Sequence, residues 1–156
     1  MNNFKLKFLI ISLLKNQNRG LTLLELLIVI VIMGILSAIA LPSFLRMVNR
    51  AKEVEAIEKV KTIMTKQQGY YLENTVFTSE TSNLDAALSM ETSNYNYQIV
   101  VVDRNKIVIL VAIPKNSQLP YYGGGVYFKR GEMQNCGPWP ARTIQQAIAT
   151  YYARCP

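Results

Sequence analysis

Residues 19–41 read RGLTLLELLIVIVIMGILSAIAL, a basic residue and a glycine followed by 21 residues whose single charge is Glu25. A helix rises 1.5 Å per residue, so one over residues 21–41 is about 30 Å long, the thickness of a membrane's hydrocarbon core. A carboxylate inside such a helix is costly unless a positive charge pairs with it. The stretch therefore predicts a membrane-spanning helix with Glu25 as a candidate functional residue.

The charges before this stretch predict its orientation. No acidic residue occurs before Glu25, whereas four basic residues do: Lys5, Lys7, Lys15 and Arg19. Positively charged flanks stay in the cytoplasm, so the N-terminus is predicted to be cytoplasmic and the rest of the chain to lie outside. A secretory signal would have an A-x-A pattern after its apolar core, but LPSF stands at 41–44. We therefore expect the apolar helix to remain in the mature protein.

The residues around Gly20 resemble the prepilin cleavage site of type IV pilins and of the pseudopilins of type II secretion. The resemblance implies that a membrane prepilin peptidase cuts after Gly20 and that the new first residue, Leu21, is N-methylated. It also implies that Glu25 compensates the new amino group, usually that of a neighbouring subunit. A plain single-pass anchor is the alternative, but it explains neither Glu25 nor the Arg19-Gly20 pair.

The apolar spacing predicts that the helix continues past the membrane. Apolar residues recur every three or four positions from Phe44 to Tyr71, while charged residues mostly fill the other face. Pro42 inside the helix predicts a kink. Gly34 and Pro42 fall where pilins commonly carry a helix glycine and proline, and by resemblance the segment between them loses helical structure in the filament. A bent but intact helix is the alternative.

The remainder of the chain predicts a small antiparallel sheet with irregular connections. Runs rich in β-branched residues, with Asp103-Arg104-Asn105 between the first two, predict strands over 95–102, 106–113 and 126–130. Polar composition predicts a surface loop over 73–94 with a short helix at 84–90. Residues 114–125 are predicted to be a loop in which Gly123, Gly124 and Gly125 supply tight turning. A short helix is predicted over 143–153.

The two cysteines, Cys136 and Cys155, bracket the last predicted helix. The predicted orientation places them outside the cytoplasm, where thiols are oxidised. A bridge closing 20 residues contributes roughly 3 kcal/mol through loop entropy. The resemblance implies such a bridge, because many type IV pilins join a C-terminal loop to the sheet with one disulfide. Two free buried thiols are the alternative.

The composition argues against catalysis and against a metal site. There is no histidine, the commonest general base and metal ligand, and two cysteines are too few for a zinc site made of cysteines. No serine or cysteine has an evident base partner. We predict no enzymatic activity, no cofactor and no metal.

The net charge of +7 includes four basic residues among the first 20. Removing those four from 17 leaves 13 basic against 10 acidic residues, a net charge of +3 that is typical of an ordinary solvated surface. A weak DNA contact through Lys129 and Arg130, which follow Tyr127 and Phe128, is the alternative.

These observations together predict an α+β pilin fold, in which a long N-terminal helix packs on a small antiparallel sheet. The segments QQGYYLEN and ETSNYNYQIVV are similar to pilins of cyanobacterial type, in the group named after the G and H pseudopilins. The predicted parts are a cleaved leader, a transmembrane and filament-core helix, an amphipathic helix and a globular domain, over 1–20, 21–42, 43–72 and 73–156.

The resulting functional hypothesis is a subunit of a type IV pilus that serves motility, adhesion or DNA uptake. It would be a single-pass inner-membrane protein before assembly and part of a cell-surface filament afterwards. Its partners would be other copies of itself, the prepilin peptidase and the inner-membrane assembly machinery. A pseudopilin of type II secretion and a membrane-anchored binding module are the alternatives.

Overall fold

The computed structural model describes residues 3–155, with side chains from Thr22 onward. The chain divides into two compact units, which we call the helical unit, Met1–Met47, and the globular unit, Val48–Pro156. The elements in chain order are helix α1 (Asn3–Asn74), helix α2 (Thr81–Leu84), strands β1 (Tyr95–Asp103), β2 (Ile107–Pro114), β3 (Tyr121–Lys129) and β4 (Glu132–Ala141), and helix α3 (Ile144–Arg154). The predicted fold class is confirmed.

Helix α1 ends at Asn74, two residues after the predicted end at residue 72. Thr75, the first residue beyond it, has a φ of 60°, and its N–H donates to the carbonyl of Tyr71 at 2.7 Å. A residue in the left-handed region after the last turn satisfies carbonyls that the helix itself leaves open. The hydroxyl of Tyr71 donates to the carbonyl of Asn105 at 2.9 Å, which joins the end of α1 to the turn between β1 and β2.

Four strands form one antiparallel sheet in the order β1-β2-β3-β4, so each strand pairs with its neighbour in the chain. The predicted hairpin of the first two strands is confirmed, with Val101 opposite Val108 next to the turn. Asp103 closes that turn, because its Oδ1 accepts from the N–H of Asn105 at 2.9 Å. Asp and Asn favour such turns because their side chains bond to nearby backbone groups.

The sheet has a separate apolar core on each face. One core packs the sheet against α1, whose Ala56, Val60, Ile63 and Met64 are each at most 1% exposed. The spacing of these residues is that of the predicted apolar face, although Val54, expected on the same face, is 50% exposed. Helix α1 thus covers one side of the sheet, as the sequence predicted.

Helix α3 covers the opposite face, which the sequence did not predict. Its Ala147 and Tyr151 are 1% exposed and pack with Ile109 and Val111 of β2. Strand β2 therefore has buried side chains on both faces, which explains why it is a continuous apolar run rather than an alternating one.

The prediction that Gly123, Gly124 and Gly125 lie in a loop and supply a turn is wrong. They occupy the buried middle of β3, paired with β2 and, through an irregular register, with β4. A Cβ on Gly125 would lie 2.3 Å from the carbonyl oxygen of Val108, and one on Gly123 would lie 2.9 Å from Cβ of Ala147. These glycines are needed because neighbouring elements approach the strand closely, a role that glycine also has inside strands.

Strand β4 was not predicted, because its Pro138 and Pro140 indicated a break before the last helix. It lies at an edge of the sheet, where proline is tolerated since one row of backbone groups is not needed for pairing. The short helix predicted over 84–90 is also wrong in position. The helix spans Thr81–Leu84, and turns follow it.

The C-terminal helix was predicted within one residue of its observed bounds. Thr143 is its N-cap, and the side chain of Thr143 accepts from the N–H of Gln146 at 3.1 Å. This bond satisfies one of the backbone donors that every helix start leaves open.

A buried glutamine fastens the loop after α1 to the helix. The side chain of Gln67 is fully buried; its Nε2 donates to the Thr78 carbonyl at 2.6 Å, and its Oε1 accepts from the Thr78 N–H at 3.2 Å. The next backbone link runs from Phe77, whose N–H donates to the carbonyl of Arg104 at 2.6 Å. The loop is therefore held between α1 and the β1–β2 turn.

Gln67→Met is expected to destabilise the globular unit by about 2–4 kcal/mol, because it leaves two buried backbone groups of Thr78 without partners. Chemical unfolding followed by near-ultraviolet circular dichroism measures this. Gln68→Met is the matched control, since Gln68 is half-buried and its side chain makes no hydrogen bond to the described residues. Equal unfolding midpoints for the two variants would show that the bonds to Thr78 contribute nothing.

Candidate assembly surface

The helical unit exposes an apolar surface that no other part of the described chain covers. Every large apolar side chain from Leu23 to Leu45 is at least 48% exposed. Soluble monomers rarely expose contiguous apolar patches of more than a few hundred Å². Among the described residues, one helix is long and apolar enough to cross a membrane, and this surface belongs to it. The surface therefore needs lipid or other apolar helices around it.

Glu25 is the only charged residue of this surface before Arg46. It is exposed in the single chain, four residues after Leu21. Four residues correspond to about 6 Å along the axis, so Glu25 lies roughly one turn into the apolar stretch. A carboxylate at that depth requires a cationic partner once lipid or protein surrounds it.

The helix passes through both predicted interruption sites. Pro42 lies inside α1, and residues 34–42 are helical throughout. Apart from its chain neighbours and the backbone of its own helix, Gly34 has no atom within 4 Å of the place where its Cβ would be. Glycine in a helix interior costs about 1 kcal/mol relative to alanine, and nothing inside the described chain requires it here. The kink and the loss of helix in a filament stay predictions.

Gly20 and Leu21, the predicted cleavage and methylation residues, lie outside the residues whose side chains the structure describes. Lys129 and Arg130, the candidate DNA contacts, are exposed at the turn between β3 and β4. This turn lies beside the β1–β2 turn, because the N–H of Phe128 donates to the carbonyl of Lys106 at 2.8 Å. The DNA contact stays a prediction.

A disulfide joins Cys136 of β4 to Cys155 at the end of α3. The two Cα atoms are 6.0 Å apart, and both cysteines belong to the core between α3 and the sheet. Arg154 lies over the ring of Trp139 at 5.2 Å, a second contact between the helix and the edge strand. Both contacts hold α3 against the sheet.

Two family models match the chain. The prokaryotic N-terminal methylation motif matches residues 15–41, the segment that contains the proposed cleavage site and the apolar surface. The model named Type IV pilin-like G and H matches residues 53–148, more than half of the chain and most of the globular unit. The chain belongs to the family of type IV pilins and pseudopilins.

Individual relatives come from both branches of this family. The Type IV major pilin protein PilA of Myxococcus xanthus is 43% identical over 63 residues, 40% of this chain and 29% of that protein. The Type II secretion system core protein G of Pseudomonas aeruginosa is 32% identical over 80 residues, 51% of this chain and 56% of that protein. The Type IV wide pilus major component PilA4 of Thermus thermophilus is 29% identical over 111 residues, 70% of this chain and 79% of that protein.

The matched segments span 29% of the length of the Myxococcus xanthus protein and 56% of the length of the Pseudomonas aeruginosa protein. Proteins of this family are structural and non-enzymatic, which confirms the prediction that the chain is not an enzyme. Membership implies processing by a prepilin peptidase and assembly into a filament. The apolar N-terminal helix and the methylation motif fit a membrane-bound precursor that becomes part of such a filament.

Proposed function

We propose that the chain is a structural subunit of a type IV pilus that assembles through its N-terminal helix. The observation that carries the proposal is the uncovered apolar surface from Leu23 to Leu45, whose single charged residue is Glu25. In the membrane, lipid covers this surface. In a filament, the same surface of other copies covers it and forms the fibre's core.

Glu25 sets the register of this packing. An unpaired buried carboxylate is penalised, so the preferred stagger places Glu25 beside the α-ammonium of Leu21 in a neighbouring copy. N-methylation of Leu21 keeps the positive charge of that ammonium. Such contacts are head-to-tail and do not close, so they generate a helical fibre.

In this proposal residues 1–20 are the leader, which is removed, and residues 21–42 form the membrane-spanning and filament-core helix. Residues 43–72 continue the helix, and residues 73–156 form the outer domain of the fibre. The N-terminus lies in the cytoplasm before cleavage, and the outer domain meets surfaces, phage or DNA at the cell exterior.

The intact mass of the protein from cells tests the processing step. We expect a chain that lacks residues 1–20, carries one methyl group on Leu21 and contains the Cys136–Cys155 bridge. Treatment with a reductant should then add the mass of two hydrogens. An uncut chain would oppose the proposal and support a membrane-anchored binding module instead.

A type II secretion pseudopilin is the second candidate, favoured by the relative of Pseudomonas aeruginosa named core protein G. The two functions differ in what a deletion strain loses. Loss of surface fibres with normal protein secretion supports the pilus subunit, and loss of secretion with intact fibres supports the pseudopilin.

A further inference from the structure

An open cavity of about 560 Å³ lies in the globular unit where the β2–β3 loop meets the end of β4. This volume is within the range of small-molecule binding sites. The β2–β3 loop contributes Ser117, Gln118 and Pro120 to the lining, which we call the loop wall. The paired ends of β3 and β4 contribute Tyr121 and Ala141, and Arg142 follows them; we call these three residues the second wall. The cavity is far in sequence from the helical unit and has no role in the assembly proposed above.

Hydrogen bonds outside the cavity hold the loop wall in place. Asn116 organises the loop, since its Oδ1 accepts from the N–H of Gln118 at 2.9 Å and its carbonyl accepts from the N–H of Leu119 at 3.1 Å. Beneath the loop, the Tyr95 hydroxyl donates to the carbonyl of Pro120 at 3.2 Å. Burial raises the pKa of Tyr95, so its hydroxyl keeps the proton that it donates.

The second wall is fixed in the same way. The backbone N–H of Arg142 donates to Oε1 of Gln146 at 2.7 Å, and Tyr121 pairs with Ala141 in the sheet. Because both walls are ordered by bonds of their own, a ligand would not have to order them, which lowers the cost of binding.

The lining residues favour a hydroxyl-rich, negatively charged ligand. Ser117, Gln118 and Tyr121 can each both donate and accept hydrogen bonds, as sugar hydroxyls also do. Pro120 and Ala141 offer apolar surface to the C–H face of a sugar ring. Arg142 is the charged lining residue, and its guanidinium makes no ion pair among residues 22–155. A planar guanidinium matches a carboxylate in two parallel hydrogen bonds.

We propose that this cavity binds a carboxylate-bearing sugar residue of an acidic polysaccharide, with Arg142 holding the carboxylate and the residues of the loop wall holding the hydroxyls. All of its lining residues belong to one globular unit, so the site can be tested on a single chain. It would allow a chain of uronic acids outside the cell to attach to the protein.

Titration calorimetry with the full chain in nanodiscs of zwitterionic lipid tests the proposal, with trigalacturonate as the probe and maltotriose as a neutral trisaccharide for comparison. We expect trigalacturonate to bind and maltotriose to bind at least about tenfold more weakly, because a charge-assisted hydrogen bond is lost. Arg142→Gln should weaken trigalacturonate binding by at least about tenfold. Arg130→Gln, the same charge change at the exposed β3–β4 turn, should leave it within about twofold.

Four results would overturn the proposal: no binding of trigalacturonate at millimolar concentration, equal binding of maltotriose, equal losses in the two arginine variants, or tighter binding of trialanine, which carries a peptide carboxylate. Arg142 is exposed, so its variant is expected to fold, which near-ultraviolet circular dichroism checks. Gln118→Ala tests the other wall independently and should weaken trigalacturonate binding by at least about threefold.

Discussion

Gly125→Ala is expected to destabilise the globular unit by about 3 kcal/mol or more. The added Cβ would lie 2.3 Å from the carbonyl oxygen of Val108 and 2.7 Å from Cε2 of Tyr151. The oxygen belongs to the backbone of β2, and Tyr151 is 1% exposed, so neither atom can move without disturbing packed neighbours. Overpacking a core costs about 1–3 kcal/mol and more where backbone must shift. Chemical unfolding, followed by the near-ultraviolet circular dichroism of the tyrosines and Trp139, measures the difference in the free energy of unfolding between the variant and the unchanged chain.

Gly69→Ala is the matched control, the same substitution on helix α1. Apart from its chain neighbours and the backbone of its own helix, no atom lies within 4 Å of the place where its Cβ would be, and Gly69 is exposed. Alanine in a helix interior is more stable than glycine by about 0.5–1 kcal/mol, so this variant should gain stability. If Gly125→Ala unfolds at the same denaturant concentration as the unchanged chain, then β2 and α3 do not lie as close to Gly125 as described above.

Glu25→Gln is expected to reduce the number of surface fibres by about a hundredfold or more. Glutamine keeps the size of the side chain but removes the charge, so the α-ammonium of Leu21 would be buried without its counter-ion. Removing one partner of a buried ion pair costs about 3–5 kcal/mol, and each 1.4 kcal/mol is a factor of ten in an equilibrium. Electron microscopy and immunoblotting of sheared fibres measure the loss.

Two controls separate this effect from poor folding or failed processing. Glu73→Gln makes the same charge change at an exposed position near the end of α1 and should leave fibres unchanged. The mass of Glu25→Gln in the membrane fraction should still show cleavage after Gly20. Normal fibre numbers in Glu25→Gln would show that the charge of this carboxylate is not needed for the proposed assembly.

Features that depend on neighbours in the chain were predicted correctly. The membrane-type helix followed from 21 residues with one charge, and the β1–β2 hairpin followed from two β-branched runs around Asp103-Arg104-Asn105. The apolar face of α1 was found because helical spacing appears directly in the sequence. In each case the signal is contained in a few dozen consecutive residues.

Features that depend on distant neighbours were missed. Three consecutive glycines indicate a turn unless one knows that α3, about 20 residues later, packs on them. The prolines of β4 break a strand unless it lies at an edge, which only the sheet order reveals. Gln67 and Gln68 are the same residue type, so the sequence does not indicate which of the two is buried. Gln67 is buried because the loop that carries Thr78 folds over it.

The candidate surface was predictable in outline from the sequence, because apolarity and charge need no partner to be recognised. Its proposed chemistry was not, since the cleavage after Gly20 and the pairing of Glu25 with Leu21 of a neighbouring copy are implied by a resemblance to known proteins. The cavity beside Arg142 had no sequence signal at all, because its two walls are brought together by strand pairing.

Neither apolar core of the globular unit contains a residue before Ala56. The apolar interior of this unit is therefore complete without residues 22–47, and the proposed assembly requires no refolding of it. Substitutions in its outer turns and substitutions in the N-terminal helix consequently change different parts of the proposed filament, its exterior and its core. In the proposed filament, the exterior of this unit can therefore vary in sequence while the packing of the N-terminal helix stays the same.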